Sequence, residues 1–214
     1  MSYIYKTGRI ELYEQIGRHA KLIKGRILDI GASSFPRYKG LFRFDKYTGM
    51  DILAGEGIDV VGSIEAIPFP DNTFDSIVCT QVLGDVYELK IAFKEMYRVL
   101  KPGGKALITE NLFDALHDEP RDFWRFTQHS LRRLSEGAGF KVEVLECRGG
   151  YWSVMAQLKA RYWIERLNAN NKWFARIISF KLKILGKWAR FLDRHDKSRA
   201  NKIFTHGYLL ICSK

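Results

Sequence analysis

The sequence lacks long uncharged apolar runs and has few cysteines. No stretch of 18 residues is both apolar and free of charge, and charges interrupt residues 1–30 throughout. We therefore expect neither a membrane-spanning helix nor a signal peptide. The three cysteines, Cys79, Cys147 and Cys212, are isolated in apolar, strand-like segments. This pattern favours reduced core residues over disulfides or metal ligands, and it indicates a cytoplasmic protein.

The positive charge is confined to one part of the chain. Residues 1–150 contain 21 basic and 21 acidic residues, whereas residues 151–214 contain 14 basic and 3 acidic residues. The whole net charge of +11 therefore comes from the last 64 positions. The positive potential around these residues predicts an anionic partner for that region alone.

Strand-like and helix-like segments alternate along the chain. This order predicts an α/β fold whose parallel sheet is covered by helices on both faces. A long stretch between the sixth and seventh strands reads as two helices, 154–168 and 172–194, and exceeds a usual loop. We divide the chain into a core (1–150), a basic helical insertion (151–203) and a final strand returning to the core sheet (204–214). The predicted strands are 26–31, 46–52, 58–62, 74–79, 105–109, 140–147 and 208–213, and the other predicted helices are 8–24, 36–43, 87–100 and 128–138.

The segment 26–36 marks the centre of the fold. An apolar run ends at Gly31 and is followed by small polar residues and Pro36, which predicts a buried strand turning into a helix. Such a turn exposes backbone N–H groups at the carboxyl end of the strand, where open α/β sheets bind ligands. Asp51 follows Asp29 by 22 positions, as expected for a carboxylate that binds ribose hydroxyls. The alternative is an ordinary strand-to-helix turn.

Four motifs in order resemble one enzyme family. Residues 62–71 (GSIEAIPFPD), 72–75 (NTFD) and 98–104 (RVLKPGG) follow the glycine turn. In this order they resemble the class I S-adenosylmethionine (SAM)-dependent methyltransferases, type 11 branch, which includes ubiquinone/menaquinone-type C-methyltransferases. Residues 117–127 (HDEPRDFWRFT) look like a segment of a subgroup often associated with glycan and lipid-linked biosynthesis. The resemblance implies a Rossmann-like, seven-stranded, mostly parallel sheet with an antiparallel last strand.

The resemblance also implies a cofactor, SAM, and residues that bind it. By position, the loop at Asp29 and Gly31 approaches the methionine moiety, and Asp51 binds the ribose hydroxyls. Ser63 and Ile64 lie beside the adenine, and Gln81 lies beneath the sulfonium. The family usually has glycine where Ser33 and Phe35 stand, Asp at Ser63, and often Glu-His at Gly84-Asp85. The expected cofactor-binding residues are Asp29, Gly31, Ala32, Ser33, Asp51, Ile52, Ser63, Ile64 and Gln81.

The 117–127 segment also supplies candidate catalytic residues. It follows the fifth strand, at the edge where the methyl group would point. His117 is the candidate base, because imidazole ordinarily titrates near neutrality; the alternative is a loop or capping histidine. Asp122 is expected to orient His117 or to bind substrate, with a helix cap as the alternative. Arg125 is expected to hold an anionic acceptor, with an ion pair to Asp122 or Glu119 as the alternative.

The predicted helix 172–194 has a narrow basic stripe and a wide apolar face. This pattern is typical of a helix lying in an anionic membrane interface. The alternative is a lid packed on the core with solvated cations. Nucleic acid is disfavoured, because the aromatic residues lie opposite the cations instead of among them. The stripe contains Lys172, Arg176, Lys183, Lys187, Arg190 and Arg194.

We therefore expect a cytoplasmic SAM-dependent methyltransferase, peripheral at the inner face of the membrane if the basic helix docks there. It would transfer a methyl group to a small-molecule, glycan or lipid-linked acceptor, with oxygen favoured. A non-catalytic SAM-fold binding module is the alternative supported by Ser33, Phe35 and Ser63. An RNA methyltransferase is a third hypothesis. No metal site is predicted.

Overall fold

The computed structural model describes residues 7–32, 38–117, 119–166 and 172–214, except the side chains of Thr7 and of residues 172–180. Seven strands form one sheet in the order β3-β2-β1-β4-β5-β7-β6. The strands are β1 (Lys24–Ile30), β2 (Arg43–Asp51), β3 (Val60–Val61), β4 (Phe74–Thr80), β5 (Leu100–Asn111), β6 (Lys141–Arg148) and β7 (Gly207–Ser213). The helices are α1 (Thr7–His19), α2 (Leu89–Val99), α3 (Gln128–Gly137), α4 (Tyr151–Arg166), α5 (Lys172–His195) and α6 (Arg199–Lys202).

The sheet is parallel except at one end. β1 pairs in parallel with β2 and β4, β2 with β3, and β4 with β5. β7 lies between β5 and β6 and is antiparallel to both. The predicted Rossmann-like sheet with an antiparallel last strand is therefore confirmed. Because the carboxyl ends of β1, β2, β4 and β5 share one edge, the loops that follow these strands converge there.

Two apolar layers cover the sheet. One packs β1, β4 and β5 against α2 and α3, with Phe74, Phe93 and Met96 fully buried. The other packs the opposite face against α1 through Leu12 and Ile16, with Ile23 buried in the segment before β1. Each helix contributes an apolar stripe at helical spacing.

Cys147 departs from the sequence prediction. Cys79 and Cys212 are buried, but Cys147 is exposed, so the prediction of a core residue was wrong there. Its strand, β6, lies at the edge of the sheet. An edge strand can leave one face exposed to solvent, so an apolar strand-like sequence did not guarantee that Cys147 is buried. All three thiols are free.

The helices between β6 and β7 pack on each other and on α1, through both α4 and α5. Asp193 accepts hydrogen bonds from the backbone N–H groups of Gly150, Trp152 and Ser153 at 3.0–3.1 Å and so caps α4. Arg190 forms an ion pair with Glu14 of α1 at 2.8 Å. Among the described residues, no helix combines the length and apolarity needed to cross a bilayer.

Candidate active site

A cavity of about 880 Å³ opens at the carboxyl ends of β1, β2 and β4. This volume lies in the range of small-molecule sites, roughly 300–1,000 Å³. The segment 119–123, after β5, closes another side of it. The lining comprises Ile30, Gly31, Met50, Asp51, Ile52, Leu53, Gly62, Ser63, Ile64, Glu65, Gln81, Val82, Asp85, Val86, Tyr87, Glu119, Arg121 and Phe123.

A sharp backbone corner follows β1. Gly31 has a φ of +71°, in the left-handed region that favours glycine. Its N–H donates to the carbonyl oxygen of Met50 at 2.8 Å, which ties the corner to β2. A Cβ atom at Gly31 would lie 2.3 Å from Cγ2 of Val82, so the position excludes a side chain. The corner therefore brings bare backbone to the cavity wall.

Asp51 and Ser63 stand on the other side of the same cavity. Asp51 ends β2, and its Oδ1 accepts a hydrogen bond from the N–H of Leu53 at 3.1 Å. The Oγ of Ser63 accepts one from the N–H of Glu65 at 3.1 Å, which leaves its O–H able to donate. Ile64 beside it is buried and supplies an apolar wall.

The floor of the cavity is held by buried polar groups at the ends of β4 and β5. Gln81 has a φ of +59°, a strained conformation for a residue with a side chain. Its N–H donates to the carbonyl oxygen of Thr109 at 2.8 Å. Glu110 is buried, and its Oε1 accepts from the N–H groups of Val82 (3.1 Å) and Leu83 (2.8 Å). Burial raises the pKa of Glu110 to about 8, so at neutral pH this group is protonated.

His117, Asp122 and Arg125 form one connected cluster beside the cavity. Arg125 binds both carboxylate oxygens of Asp122, at 2.5 and 2.8 Å, and this ion pair holds the pKa of Asp122 well below its usual range. Asp122 also accepts from the backbone N–H of His117 at 3.0 Å. The His117 Nδ1 lies 3.1 Å from the carbonyl oxygen of Ala115. A carbonyl only accepts, so in the neutral ring Nδ1 carries the proton and Nε2 is the basic nitrogen.

His117 also faces the cavity lining. Its Nε2 lies 3.9 Å from Oδ1 of Asp85, which belongs to that lining. Asp85, His117 and Asp122 lie close enough together to be considered as metal ligands. However, the bidentate ion pair with Arg125 occupies both oxygens of Asp122, so this set is a poor match for a cation.

Comparison with known proteins assigns the core to a family. The type 11 model of the methyltransferase domain matches residues 28–108. This stretch is similar to the methyltransferase domain of that family. The ubiquinone/menaquinone biosynthesis C-methyltransferase UbiE of Enterobacter sp. (strain 638) is 38% identical over 86 residues, which cover 37% of this chain and 34% of that protein. UbiE of Citrobacter koseri is 38% identical over 84 residues. The chain thus matches about a third of the length of these curated relatives.

Solved structures show the same fold over nearly the whole chain. The [4+2]-cyclase SpnF is 22% identical, with a TM-score of 0.60 over 99% of this chain and 85% of that one. Phosphoethanolamine N-methyltransferase 2 of Haemonchus contortus, solved with SAM, is 17% identical, with a TM-score of 0.55 over 96% of this chain and 52% of that one. The predicted family and its SAM cofactor are confirmed by the family model over residues 28–108. At these identities the solved structures establish the fold alone, and activity must be argued from the site.

Most predicted cofactor-binding residues meet in the cavity of the methyltransferase domain. Gly31, Asp51, Ile52, Ser63, Ile64 and Gln81 all line it. Asp29 and Ala32 do not. Burial raises the pKa of Asp29 to about 6, and its carboxylate accepts from the hydroxyl of Tyr47 at 2.6 Å. Ser33 lies outside the described residues, as do Phe35 and Pro36.

The residues present fit SAM. The lining carries four carboxylates, from Asp51, Glu65, Asp85 and Glu119, against the single cation of Arg121. An acidic cavity attracts a cationic sulfonium and disfavours a pyrophosphate. The carboxylate of Asp51 can accept hydrogen bonds from a ribose diol, while the buried Ile64 offers an apolar contact to the adenine. Sequence reasoning missed Glu110, whose only signal was an acid at the end of an otherwise apolar strand.

Proposed function

We propose that the chain is a SAM-dependent methyltransferase that methylates a hydroxyl group of a small-molecule, glycan or lipid-linked acceptor. One observation carries the proposal. The glycine corner after β1 and the carboxylate of Asp51 face the same acidic cavity, and the imidazole of His117 lies beside it.

The residues of the cavity have separable roles in this proposal. When bound, SAM supplies an electrophilic methyl group on a sulfonium. The corner at Gly31 and the side chain of Asp51 orient the cofactor, and alignment of this kind contributes up to roughly 7–11 kcal/mol in well-oriented cases. Nε2 of His117 takes the proton of the acceptor hydroxyl, because Nδ1–H is already engaged by a carbonyl. Asp122 and Arg125 position the segment that carries His117.

The relatives named as C-methyltransferases make carbon the competing methylation site. Oxygen is favoured here because a base stands beside the cavity, and a neutral hydroxyl must lose a proton on transfer. The two outcomes are distinguished by the product, since a methyl group on oxygen and one on carbon differ in carbon-13 chemical shift.

We also propose that α5 docks on an anionic membrane surface. Its described half packs inward through the buried Ala189 and outward exposes Ile184, Leu185, Trp188 and Phe191. The cations Lys181, Lys183, Lys187 and Arg194 are exposed on the same helix. A helix that exposes both an apolar, aromatic set and a set of cations suits the headgroup region of an anionic bilayer. The inward face, where Arg190 pairs with Glu14 and Asp193 accepts from the N–H of Gly150, supports the alternative of a lid packed on the core.

Calorimetry with SAM tests the cofactor site. Asp51→Ala removes charged hydrogen bonds worth about 1.5–3 kcal/mol, so we expect the affinity for SAM to fall roughly 10- to 150-fold. Asp45→Ala is the matched control, because Asp45 is an exposed acid on the same strand. Absence of SAM binding to the wild-type chain, or equal losses in both variants, would refute the proposal.

Labelled methyl transfer tests the acceptor class. The protein is incubated with SAM carrying a ¹³C-methyl group and with a lipid extract or an aqueous metabolite extract. We expect an O-methyl product that disappears in His117→Gln; a C-methyl product alone would overturn the assignment to oxygen.

Vesicle co-sedimentation tests the docking surface. Binding to vesicles containing phosphatidylglycerol should exceed binding to pure phosphatidylcholine and should fall in Trp188→Ser/Phe191→Ser. Ile91→Ser, which changes an exposed apolar residue of α2, should bind as the wild type does. Binding that ignores lipid charge or the α5 variant would refute docking through α5.

A further inference from the structure

A second pocket, of about 790 Å³, lies between the start of α2 and the end of α3. Its walls are mainly apolar and include Tyr87, Trp124 and Leu134. Trp124 is fixed in place, because its Nε1–H donates to the carbonyl oxygen of Val86 at 2.9 Å. This hydrogen bond holds one wall of the pocket in a defined position.

The charge of this pocket is opposite to that of the cofactor cavity. Four cations and a single acid, Glu88, belong to the lining. The guanidinium of Arg125 is neutralised by Asp122. Within the described part of the chain, Lys90, Lys94 and Arg133 form no hydrogen bond or ion pair, so their charges are available to a ligand. The ligand that complements the pocket has an apolar chain and an anionic group.

The two pockets adjoin. Tyr87 lines both, and its ring packs edge-on against Phe123 of the cofactor cavity, with ring centroids 5.5 Å apart. The next residue, Trp124, belongs to the second pocket. A molecule seated between α2 and α3 can therefore extend past Tyr87 toward the cofactor.

We propose that this pocket binds the apolar chain and the anionic group, phosphate or carboxylate, of the acceptor. The inference rests on the proposed methyl transfer, and it narrows the acceptor to an amphiphilic anion. The acidic cavity and the basic pocket then sort two substrates of opposite charge, each repelled from the other's site.

Octyl phosphate is the probe, titrated calorimetrically into the full chain without SAM. We expect saturable one-to-one binding, tighter than that of inorganic phosphate or octanol. Lys94→Gln/Arg133→Gln should weaken it about 2- to 30-fold, as expected for two exposed charge contacts. Arg132→Gln is the matched control, because it removes the same charge from the neighbouring position of α3 but lies outside the pocket. Trp188→Ser/Phe191→Ser controls for binding to α5.

Several results would overturn the inference. They are an absence of saturable binding, inorganic phosphate binding as tightly, equal weakening by Arg132→Gln, or loss of binding in the α5 variant. In the labelled transfer assay, octyl phosphate should inhibit the wild type more than the pocket variant; binding without inhibition would refute the acceptor assignment. SAM affinity should stay within about twofold in the pocket variant. Octyl phosphate binding to a chain that fails to bind SAM would refute the methyltransferase proposal and leave the pocket intact.

Discussion

Adding one methyl group at Gly31 should damage both the stability of the core and the cofactor site. The Cβ of Gly31→Ala would lie 2.3 Å from Cγ2 of Val82, whereas carbon atoms pack at about 3.5–4.0 Å. The corner or the Val82 side chain must therefore move by more than about 1 Å. Overpacking costs about 1–3 kcal/mol, and a non-glycine residue at positive φ costs about 1–2 kcal/mol.

Urea denaturation should therefore show a loss of about 2–5 kcal/mol in the free energy of unfolding for Gly31→Ala. Two other glycines separate the contributions. Gly103 has a φ of +76° with open space around its Cβ position, so Gly103→Ala should cost the backbone term alone. Gly40 has neither a positive φ nor a neighbour within 4 Å, so Gly40→Ala should change stability by less than about 0.5 kcal/mol.

A double-mutant cycle tests the named contact. Val82→Ala removes the methyl groups that meet the new Cβ, so Gly31→Ala should cost less in that background, by a coupling of about 1–3 kcal/mol. SAM affinity should fall at least about tenfold in Gly31→Ala, because the corner moves. Equal stability losses for Gly31→Ala and Gly103→Ala, together with unchanged SAM affinity, would show that no contact with Val82 constrains the corner.

Three other substitutions test separate parts of the site and core. Burial raises the pKa of Glu110 from 4.5 to about 8, so the folded state binds a proton that the unfolded state releases, and stability should fall as pH rises through that window. Glu110→Gln, which mimics the protonated acid, should make that fall smaller in urea titrations between pH 5 and about 9, while the buried Glu11 and Asp29 still contribute at lower pH. An unchanged pH profile would contradict this. Arg98→Lys should lower the free energy of unfolding by about 1–2 kcal/mol in the same assay. Lysine cannot reproduce the planar guanidinium by which Arg98 binds both carboxylate oxygens of Glu95 and two backbone carbonyls. Arg132→Lys, which alters an exposed ion pair with Glu136, should leave the free energy of unfolding unchanged. His117→Gln should lower kcat about 10²- to 10⁴-fold with unchanged SAM affinity, whereas a rise in KM with kcat unchanged would assign His117 to substrate binding.

Periodicity and turn residues predicted most of the sheet. The apolar run ending at Ile30, the turn before Phe74 and the strand near the end of the chain each became a strand within a few residues of the prediction. β5 begins earlier than predicted, at Leu100, because Leu100 already pairs with Phe74. The register then shifts across the Lys-Pro-Gly-Gly segment, and regular pairing resumes at Lys105 with Ser76. The short helix α6 was missed, since its four residues are too few for a periodic signal.

The sequence predicted the location of those site residues that lie at the ends of strands. Asp51 and Gly31 meet because strand ends converge. Asp29 illustrates the limit: its place in the motif matches, but the pleat turns it to the opposite side from Ile30 and toward Tyr47. Glu110 and the second pocket depend on contacts among distant segments, such as Glu110 with Leu83, and no local pattern encodes such contacts.

The position of β7 also constrains how the chain folds. Because β7 lies between β5 and β6, residues 141–148 have no strand partner until residues 207–213 are in place. Before then, two unpaired strand edges would face solvent, and such edges are sites of misassociation. Deletion of the last strand should thus produce aggregation instead of a smaller folded domain, and a chaperone that shields strand edges would act at this stage.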